Sequence, residues 1–540
     1  LDNVGDYWSM LTGYEDGYEE IENMWNDITE LHEKIIKVAK SRLTLKYPQL
    51  MDNYNDHIPE HLLRADGQDD NWVSLALMLS PYPNVTFEIE EKILNKSVGG
   101  TLLYKSASRL GKIILKHEPD LSFWTDSNFN GQCPSKLINF CNEETRVVTC
   151  SLPSMANYIS AHKDMANVLI PIISRESNPI LAMSNRYSPL EAGISELFGV
   201  LSMNRAWLVS LNLLDASDDP DEIRIISLLI TALDILPRMA HYLAIDMWRL
   251  DALNNSYFDN NNDDIEKLTD SWWAYREKYE KITTPSPRNT TPTYITDPYV
   301  INNKPYMHKF LGILLGFQIY EYLMESTETR YDKIEPDTPK RQLIKTIQHN
   351  WSQDWSKVVE KYLKVDKIST GSLLSYFTPL KEYLNDIDDN ITIPIPFQLE
   401  SKLSKLRTLK NNQSMEKVLK STTPSSVTNN NNDSEITTTT KTTITIITNT
   451  TAELHKSETA IPHDQHHPPN SQDKIILQPQ SPIVVNENKS DSDSDSIMKS
   501  STNKAVWAVG AVLIATIAVV IIAIFGRRRC RRSPKNRRYV

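Results

Sequence analysis

Apolar residues recur every three or four positions through most of the first 388 residues. In the segment 17–43 they stand at Ile21, Met24, Trp25, Ile28, Leu31, Ile35 and Val38, with acidic residues early and Lys or Arg late. This spacing predicts a helix with one buried face, and the order of the charges suits its dipole. The same period predicts helices at 87–115, 153–170, 189–202, 221–253, 264–279, 306–324 and 339–362, whereas the best strand signal is at 146–150. We therefore expect residues 1–388 to form a large, mostly α-helical domain.

The helical period ends near residue 389. Residues 389–504 carry runs of Asn and Thr, alternating Ser and Asp, and few apolar residues. Such a segment cannot bury enough apolar surface to fold, so we predict a disordered Ser/Thr/Asn-rich stalk. His463, His466 and His467 lie close together in it, but without Cys partners or a scaffold they are a weak basis for a metal site.

A continuous apolar run, residues 505–526, follows the stalk without a single charge. It corresponds to about 33 Å of helix, enough to cross a bilayer. The tail 527–540 holds eight Lys or Arg and no acidic residue, so the positive-inside rule places it in the cytoplasm and residues 1–504 outside the cell. We predict a single-pass type I cell-membrane protein. No signal-peptide pattern precedes the first helix, so we expect a mature or incomplete start.

Charge, sequons and cysteines agree with an extracellular body. The formal net charge is -11, and the tail leaves -19 on the first 526 residues, which argues against nucleic acid as a partner. We predict N-glycosylation at the ten N-x-S/T sequons Asn84, Asn95, Asn254, Asn289, Asn350, Asn390, Asn412, Asn432, Asn449 and Asn488. One disulfide is expected among Cys133, Cys141 and Cys150, and Cys530 in the tail is a candidate for palmitoylation.

The zinc-peptidase motif H-E-x-x-H is absent, since His32-Glu33 and His117-Glu118 lack the second His. However, the segment 160–170 (SAHKDMANVLI) lies within a series of motifs that resembles the angiotensin-converting enzyme family of zinc peptidyl-dipeptidases, whose core motif is H-H-E-M-G-H. The resemblance covers most of residues 5–388. Its other motifs are Gly5-Asp6-Tyr7-Trp8, Ile58-Pro59-Glu60-His61-Leu62-Leu63, Trp272-Trp273, Phe317-Gln318 and Leu374-Ser375-Tyr376-Phe377-Thr378-Pro379-Leu380.

The resemblance implies a two-halved helical domain with a deep central cleft. The N-terminal part of the family's domain, which forms one lip of that cleft, is missing from this sequence. The resemblance also implies a disulfide between Cys133 and Cys150 that leaves Cys141 free.

The residues that carry the family's chemistry are replaced. On the family motif, Lys163 stands at the first zinc His, Asp164 at the general-base Glu and Asn167 at the second His. In the family's Y-I-R-Y-F segment, His308 replaces the chloride-binding Arg and Lys309 replaces the Tyr that stabilises the reaction intermediate. An ammonium binds no zinc and an amide binds it poorly, so we expect zinc to have been lost and the domain to be a pseudoenzyme.

Glu191 falls at the family's third zinc ligand, but Ser188 with Pro189 and Glu191 also forms a capping box. A vestigial ligand and a helix cap are therefore both possible. We also expect Lys163 to pair with Glu191 inside the protein, with its ammonium in place of zinc, while the alternative is a solvent-exposed Lys163.

Three functions remain open. The first is an ectodomain that binds a peptide or protein partner without cleaving it. The second is residual peptidyl-dipeptidase activity that uses His162 in a shifted register, although positions 158 and 166 supply no second His. The third is a chaperone or escort of another membrane protein.

Overall fold

The computed structural model describes residues 3–52, 54, 57–63, 72–96, 100–131, 135–140, 144–150, 153–177, 187–254, 263–284, 293–325, 337–350, 354–386 and 397–422. All of them lie in the first of two units, Leu1–Asn431. The predicted membrane helix 505–526, the tail and Cys530 lie outside the described residues. No helix within the described ranges is long and apolar enough to span a bilayer.

The described part of the chain is mostly α-helical, as predicted. Its helices are α1 (Val4–Thr12), α2 (Gly17–Lys46), α3 (Pro48–Met51), α4 (Ala76–Leu79), α5 (Pro83–Lys96), α6 (Gly100–Ile114), α7 (Leu121–Asp126), α8 (Met155–Ser177), α9 (Pro189–Ser202), α10 (Arg205–Ser210), α11 (Pro220–Asn254), α12 (Asp263–Glu280), α13 (Pro298–Ile301), α14 (Met307–Met324), α15 (Asp337–His349), α16 (Trp355–Leu363), α17 (Gly371–Asp386) and α18 (Phe397–Thr422). The strands are β1 (Ile58–Pro59), β2 (Lys136–Asn139), β3 (Thr145–Val148) and β4 (Ile282–Thr283).

Helices α2 and α9 show how closely the local signals predict the elements. Helix α2 buries the predicted apolar stripe, with acidic Glu19 and Glu20 in its first turn and Lys46 in its last. Helix α9 has the predicted bounds, because Ser188 caps its first turn and Pro189 takes the first helical position. Both predictions are confirmed.

Two predicted helices are each divided in the structure. The segment 87–115 falls into α5, which ends at Lys96, and α6, which begins at Gly100. The sequence has the pair Gly99-Gly100 at this division, and glycine disfavours the interior of a helix. The segment 339–362 falls into α15 and α16, and α16 starts after Asp354.

Helices α8, α9, α11 and α14 form the centre of the core. Helix α9 packs most extensively against α14 and also packs against α8, while α11 packs against α12 and α14. Pro237 lies inside α11. Among the described residues the strands form two small sheets: β1 pairs in parallel with β4, and β2 pairs antiparallel with β3, with Lys136 opposite Val148. Strand β3 confirms a strand in the predicted segment 146–150, although it begins at Thr145 and ends at Val148.

The folded region extends past the predicted boundary at residue 388. Helix α18 lies inside the stretch 389–504 that we predicted to be disordered, and it packs against α5. Leu403 is 3% exposed in a small cluster with Phe87 and Leu94. The prediction was wrong for 397–422 because Leu399, Leu403 and Leu406 form a helical stripe that the polar composition around it obscures.

Candidate functional site

Helices α8 and α9 lie side by side and carry the positions that resemble the family's metal motif. Lys163, Asp164 and Asn167 belong to α8, and Glu191 belongs to α9. The side chain of Lys163 crosses α9 at Gly199, where an added Cβ would lie 2.5 Å from Lys163 Cε. Only glycine at this position leaves room for the lysine.

Lys163 is held by two carboxylates. Its Nζ atom lies 2.9 Å from Glu196 Oε2 and 2.5 Å from Asp234 Oδ2, and its side chain is 12% exposed. Arg238 binds Glu196 in a bidentate manner, with both N to O distances 2.8 Å, and its Nη2 also donates to Asp234 Oδ2 at 3.1 Å. These four side chains, Lys163, Glu196, Asp234 and Arg238, are called the ammonium cluster below.

The Lys163 ammonium is internal and paired, as predicted. The prediction that its partner is Glu191 is wrong. Residues 191 and 196 are separated by about 140° around a helix at 100° per residue, so their side chains leave α9 on different faces. Glu196 lies on the face that meets Lys163. The second partner, Asp234, comes from α11, where the resemblance assigned no site residue.

Opposite charges keep Glu196 ionised. Burial raises its pKa, but the charges of Arg238 and Lys163 outweigh burial and lower the pKa well below the usual value. The cluster therefore holds two cations against two anions.

Asp164 and Asn167 have partners of their own. Tyr104 Oη and Ser135 Oγ donate to Asp164 Oδ2 at 2.5 and 2.7 Å. Burial raises the pKa of Asp164, while these two hydrogen bonds and Lys163 oppose the rise. Asn167 Nδ2 donates to Ser195 Oγ at 3.2 Å, and Ser195 Oγ donates to the backbone oxygen of Lys163 at 3.1 Å. The amide of Asn167 thus helps to join α8 to α9.

Glu191 has no charged partner among the described residues. Burial alone raises its pKa to about 7. Ser188 Oγ caps α9 by accepting a hydrogen bond from Leu190 N at 3.2 Å. Within the described ranges, the Glu191 side chain makes no hydrogen bond back to the backbone of Ser188. Only half of the predicted capping box is therefore present.

A cage of tyrosine rings surrounds Lys309 at the start of α14. The Nζ atom lies 4.3 Å from the ring centroid of Tyr299, 5.3 Å from that of Tyr306 and 5.7 Å from that of Tyr242. Burial lowers the pKa of Lys309, but the charges of the Tyr242 and Tyr299 hydroxyl groups and the hydrogen bond of Tyr299 raise it overall. Tyr242 also accepts a hydrogen bond from Arg238 Nη1 at 3.2 Å, which links this cage to the ammonium cluster.

The two histidines of interest are buried and neutral. Burial, with the charge of Lys309, lowers the pKa of His308 to about 3. Burial lowers the pKa of His162 to about 4. His162 Nε2 accepts from Trp207 Nε1 at 3.2 Å, and His162 Nδ1 lies 2.8 Å from Tyr158 O. Both ring nitrogens of His162 are therefore occupied.

Glu60, a residue of one recognised motif, belongs to a second ionic group. Arg276 Nη1 lies 2.6 Å from Glu60 Oε1, and Arg276 Nη2 lies 2.9 Å from Glu280 Oε2. His241 Nδ1 lies 3.1 Å from the same Glu280. Although burial lowers the pKa of His241, the charge of Glu280 and the hydrogen bonds of Asp297 and Glu280 raise it to about 10.

Sequence reasoning missed Glu196, Arg238 and Tyr242 altogether. Asp234 stands in the apolar run 225–236, and Arg238 follows it by four residues, a spacing that brings two side chains together on a helix. A charge pair in an apolar helix was the signal that could have located the cluster.

The donor set at these positions does not fit zinc. Zinc sites use at least three His, Cys or carboxylate ligands, and here an ammonium and an amide take two of the family positions. Within the described ranges, no group of three His, Cys, Asp or Glu residues could hold a metal ion. Glu196 and Asp234 are committed to Lys163 and Arg238.

The other predicted residues are only partly described. Asn84, Asn95 and Asn412 are exposed, whereas Asn350 is 4% exposed. Cys133, Cys141 and the sequons at Asn289, Asn390, Asn432, Asn449 and Asn488 lie outside the described residues, and so does the side chain of Asn254. Glycosylation and the pairing of Cys133 with Cys150 therefore stay predictions.

The helical architecture of the described residues agrees with the mostly α-helical fold that the motifs imply. A family model described as angiotensin-converting enzyme matches residues 1–392. The chain belongs to the angiotensin-converting enzyme family.

Three relatives named angiotensin-converting enzyme show how distant the similarity is. The protein of Theromyzon tessulatum is 23% identical over 396 residues, which is 70% of this chain and 62% of the relative. Those of Mus musculus and Rattus norvegicus are 21% and 22% identical over 404 residues, 71% of this chain and 30% of each relative. The chain thus spans less than two thirds of the length of each of these relatives.

Proposed function

We propose that this protein is a non-catalytic member of the angiotensin-converting enzyme family, a type I membrane glycoprotein whose ectodomain binds a peptide or protein partner. The observation that carries the proposal is the position of Lys163. An ammonium fixed between Glu196 and Asp234 stands at the family's first metal ligand. A divalent cation there would meet a like charge and no coordinating nitrogen.

The other catalytic positions point the same way. Asp164, at the position of the general base, is engaged by Tyr104 and Ser135. Lys309, at the position of the intermediate-stabilising Tyr, is enclosed by tyrosine rings. General-base and oxyanion groups are each worth roughly 10² to 10⁴ in rate, so replacing them together removes most of the catalytic advantage. What remains is a stable helical scaffold that can still present a surface to a partner.

Residual peptidase activity through His162 has little support. That imidazole is fully buried, and its nitrogens are committed to Tyr158 and Trp207. A metal at His162 would have to break one of these contacts, and positions 158 and 166 supply no second His.

The test is an assay of the full chain in detergent with added zinc and a blocked tripeptide. We expect no release of the C-terminal dipeptide and no zinc retained after gel filtration. The three stalk histidines could retain zinc on their own. A control variant with His463→Ala, His466→Ala and His467→Ala distinguishes zinc bound by the stalk from zinc bound by the helical domain. Zinc near one per chain in this control, or turnover that a chelator stops, would refute the proposal.

A further inference from the structure

Helix α18 lies beyond the segment that the family model matches. The match ends at residue 392, and α18 begins at Phe397. The helix packs against α5, and none of its residues belongs to the ammonium cluster. What α18 does is therefore independent of the proposed function.

The apolar contact of α18 is small and separate from the main core. Leu403 is 3% exposed and forms a cluster with three residues of α4 and α5, Leu77, Phe87 and Leu94. Among the described residues, this cluster shares no member with the main core. Leu403 is also the only buried side chain among those described for α18. One buried leucine supplies a small part of the stability of a domain, so α18 can leave its site while the rest stays folded.

Two ion pairs fasten α18 to its neighbours. Glu400 pairs with Lys46 at the end of α2, and Arg407 pairs with Glu90 of α5. The side chain of Glu90 is only 9% exposed, whereas water reaches those of Lys46, Glu400 and Arg407. Salt screens pairs that water reaches. The attachment of α18 should therefore weaken as the ionic strength rises.

Helix α5 has two buried apolar faces. Ile93 packs in the main core, whereas the next residue, Leu94, packs in the cluster under α18. If α18 leaves, Leu94 loses its cover together with Leu77 and Phe87. These three side chains are called the apolar patch below. Exposed patches of this kind are typical surfaces for binding other proteins.

Helix α18 is also the last described element before residues 423–540. A force that pulls on those residues therefore acts on α18 before it reaches any helix of the main core. We infer that α18 is a releasable strap. When docked, it covers the apolar patch; salt or a pull on residues 423–540 frees it and uncovers the patch while the main core stays folded.

Thiol labelling of two cysteine variants of the full chain in detergent measures the release. Leu94→Cys places a thiol in the apolar patch, and Ile93→Cys places one in the main core. Both positions are 1% exposed, so the two variants are matched in burial. Mass spectrometry of the peptide with residues 93 and 94 separates the new thiol from the native cysteines. Under native conditions we expect Leu94→Cys to react at least about a hundredfold faster, because local release costs far less than global unfolding.

Glu90→Gln, added to Leu94→Cys, tests the ion pair. It should raise the labelling rate about fivefold, since the docked state alone loses the pair. Glu88→Gln is the matched control, because Glu88 is an exposed acid of the same helix that forms no ion pair with α18 among the described residues. It should leave the rate unchanged. Molar salt should speed the labelling of Leu94→Cys but not that of Ile93→Cys.

Hydrogen exchange of the unmodified chain tests the strap without any substitution. The amides of 398–410 should exchange faster than those of α9 and α14 under native conditions, and faster still in molar salt. Equal labelling of Leu94→Cys and Ile93→Cys would overturn the strap. So would a Leu94→Cys rate that salt leaves unchanged, an equal effect of Glu88→Gln and Glu90→Gln, or exchange of α18 only together with α9 and α14.

Discussion

The side chain of Lys163 is positively charged, as is the zinc ion that the family's motif binds at this position. An ammonium that is only 12% exposed would be costly without counter-charges. Glu196 and Asp234 supply them, and Arg238 balances the second negative charge. The residues that accommodate the substitution thus come from α9 and α11, whereas the substitution itself is in α8.

Lys163→Met is expected to lower the free energy of unfolding by roughly 2–4 kcal/mol. Breaking one side of a buried pair commonly costs about 3–5 kcal/mol, and the loss is smaller here because Arg238 still contacts both carboxylates. Denaturant unfolding of the full chain measures the change.

Glu191→Gln is the matched control for that experiment. Because Glu191 has no charged partner among the described residues, its neutralisation should not destabilise the protein. A larger loss for Glu191→Gln than for Lys163→Met would restore the Glu191 pairing and contradict the ammonium cluster.

At the residue scale the sequence predicted an internal, paired lysine but not its partners. The motif alignment places Lys163, Asp164 and Asn167 on one helix, and in the structure Asn167 bonds to Ser195 of α9. The partners could not be found in the same way, because Asp234 is 71 residues away along the chain. Only the packing of α8 against α9 and α11 brings them together.

Helix α18 is the element that the sequence did not predict, because both composition and period indicated that the folded domain ends near residue 388. Its surroundings in sequence are rich in Asn and Thr, yet Leu403 is buried against α5 and Glu400 forms an ion pair with Lys46. Most other helices were predictable, because their apolar stripes are long and their caps are clear. Composition failed here because a single helix needs few apolar residues when another element completes its small core.

Leu403→Ala is expected to destabilise α18 by roughly 2–4 kcal/mol, as is usual for the loss of a buried leucine. Leu409→Ala is the control on the same helix, since Leu409 is 59% exposed. Hydrogen exchange of the α18 amides measures the local effect. Equal exchange rates in the two variants would show that α18 is not packed against α5.

The buried ionic group around His241 links α11 to α12 and should make the stability of the whole domain pH-dependent. The pKa of His241 is raised to about 10 when folded, against about 6.5 when unfolded. The folded protein therefore holds a proton that the unfolded chain releases between these values. The resulting stability is complete below about pH 6.5 and is lost as the pH rises through 10.

His241→Gln should remove this contribution, which we expect to be on the order of 2 kcal/mol at pH 6 because the side chain is 30% exposed. The difference in unfolding free energy between wild type and variant should shrink as the pH approaches 10. A difference that does not depend on pH would contradict the raised pKa of His241.

For the whole molecule, separated motifs identified the family although identity to the three relatives is only 21–23%. The motif residues with the largest side chains pack in the core, where Trp8 and Phe377 are fully buried and Arg276 binds Glu60. Such residues follow from the fold, which explains why they identify the family at low identity. They do not by themselves specify the function, because residues that maintain a fold do not fix the chemistry of its site.

The most direct test of the account is anomalous diffraction at the zinc edge from crystals of the protein soaked in a zinc salt. We expect Lys163 Nζ within about 3 Å of carboxylate oxygens of both Glu196 and Asp234, with no zinc peak between Asn167 and Glu191. A zinc peak coordinated by Glu191, with Lys163 turned away from Glu196, would contradict the claim that an ammonium takes the place of the metal.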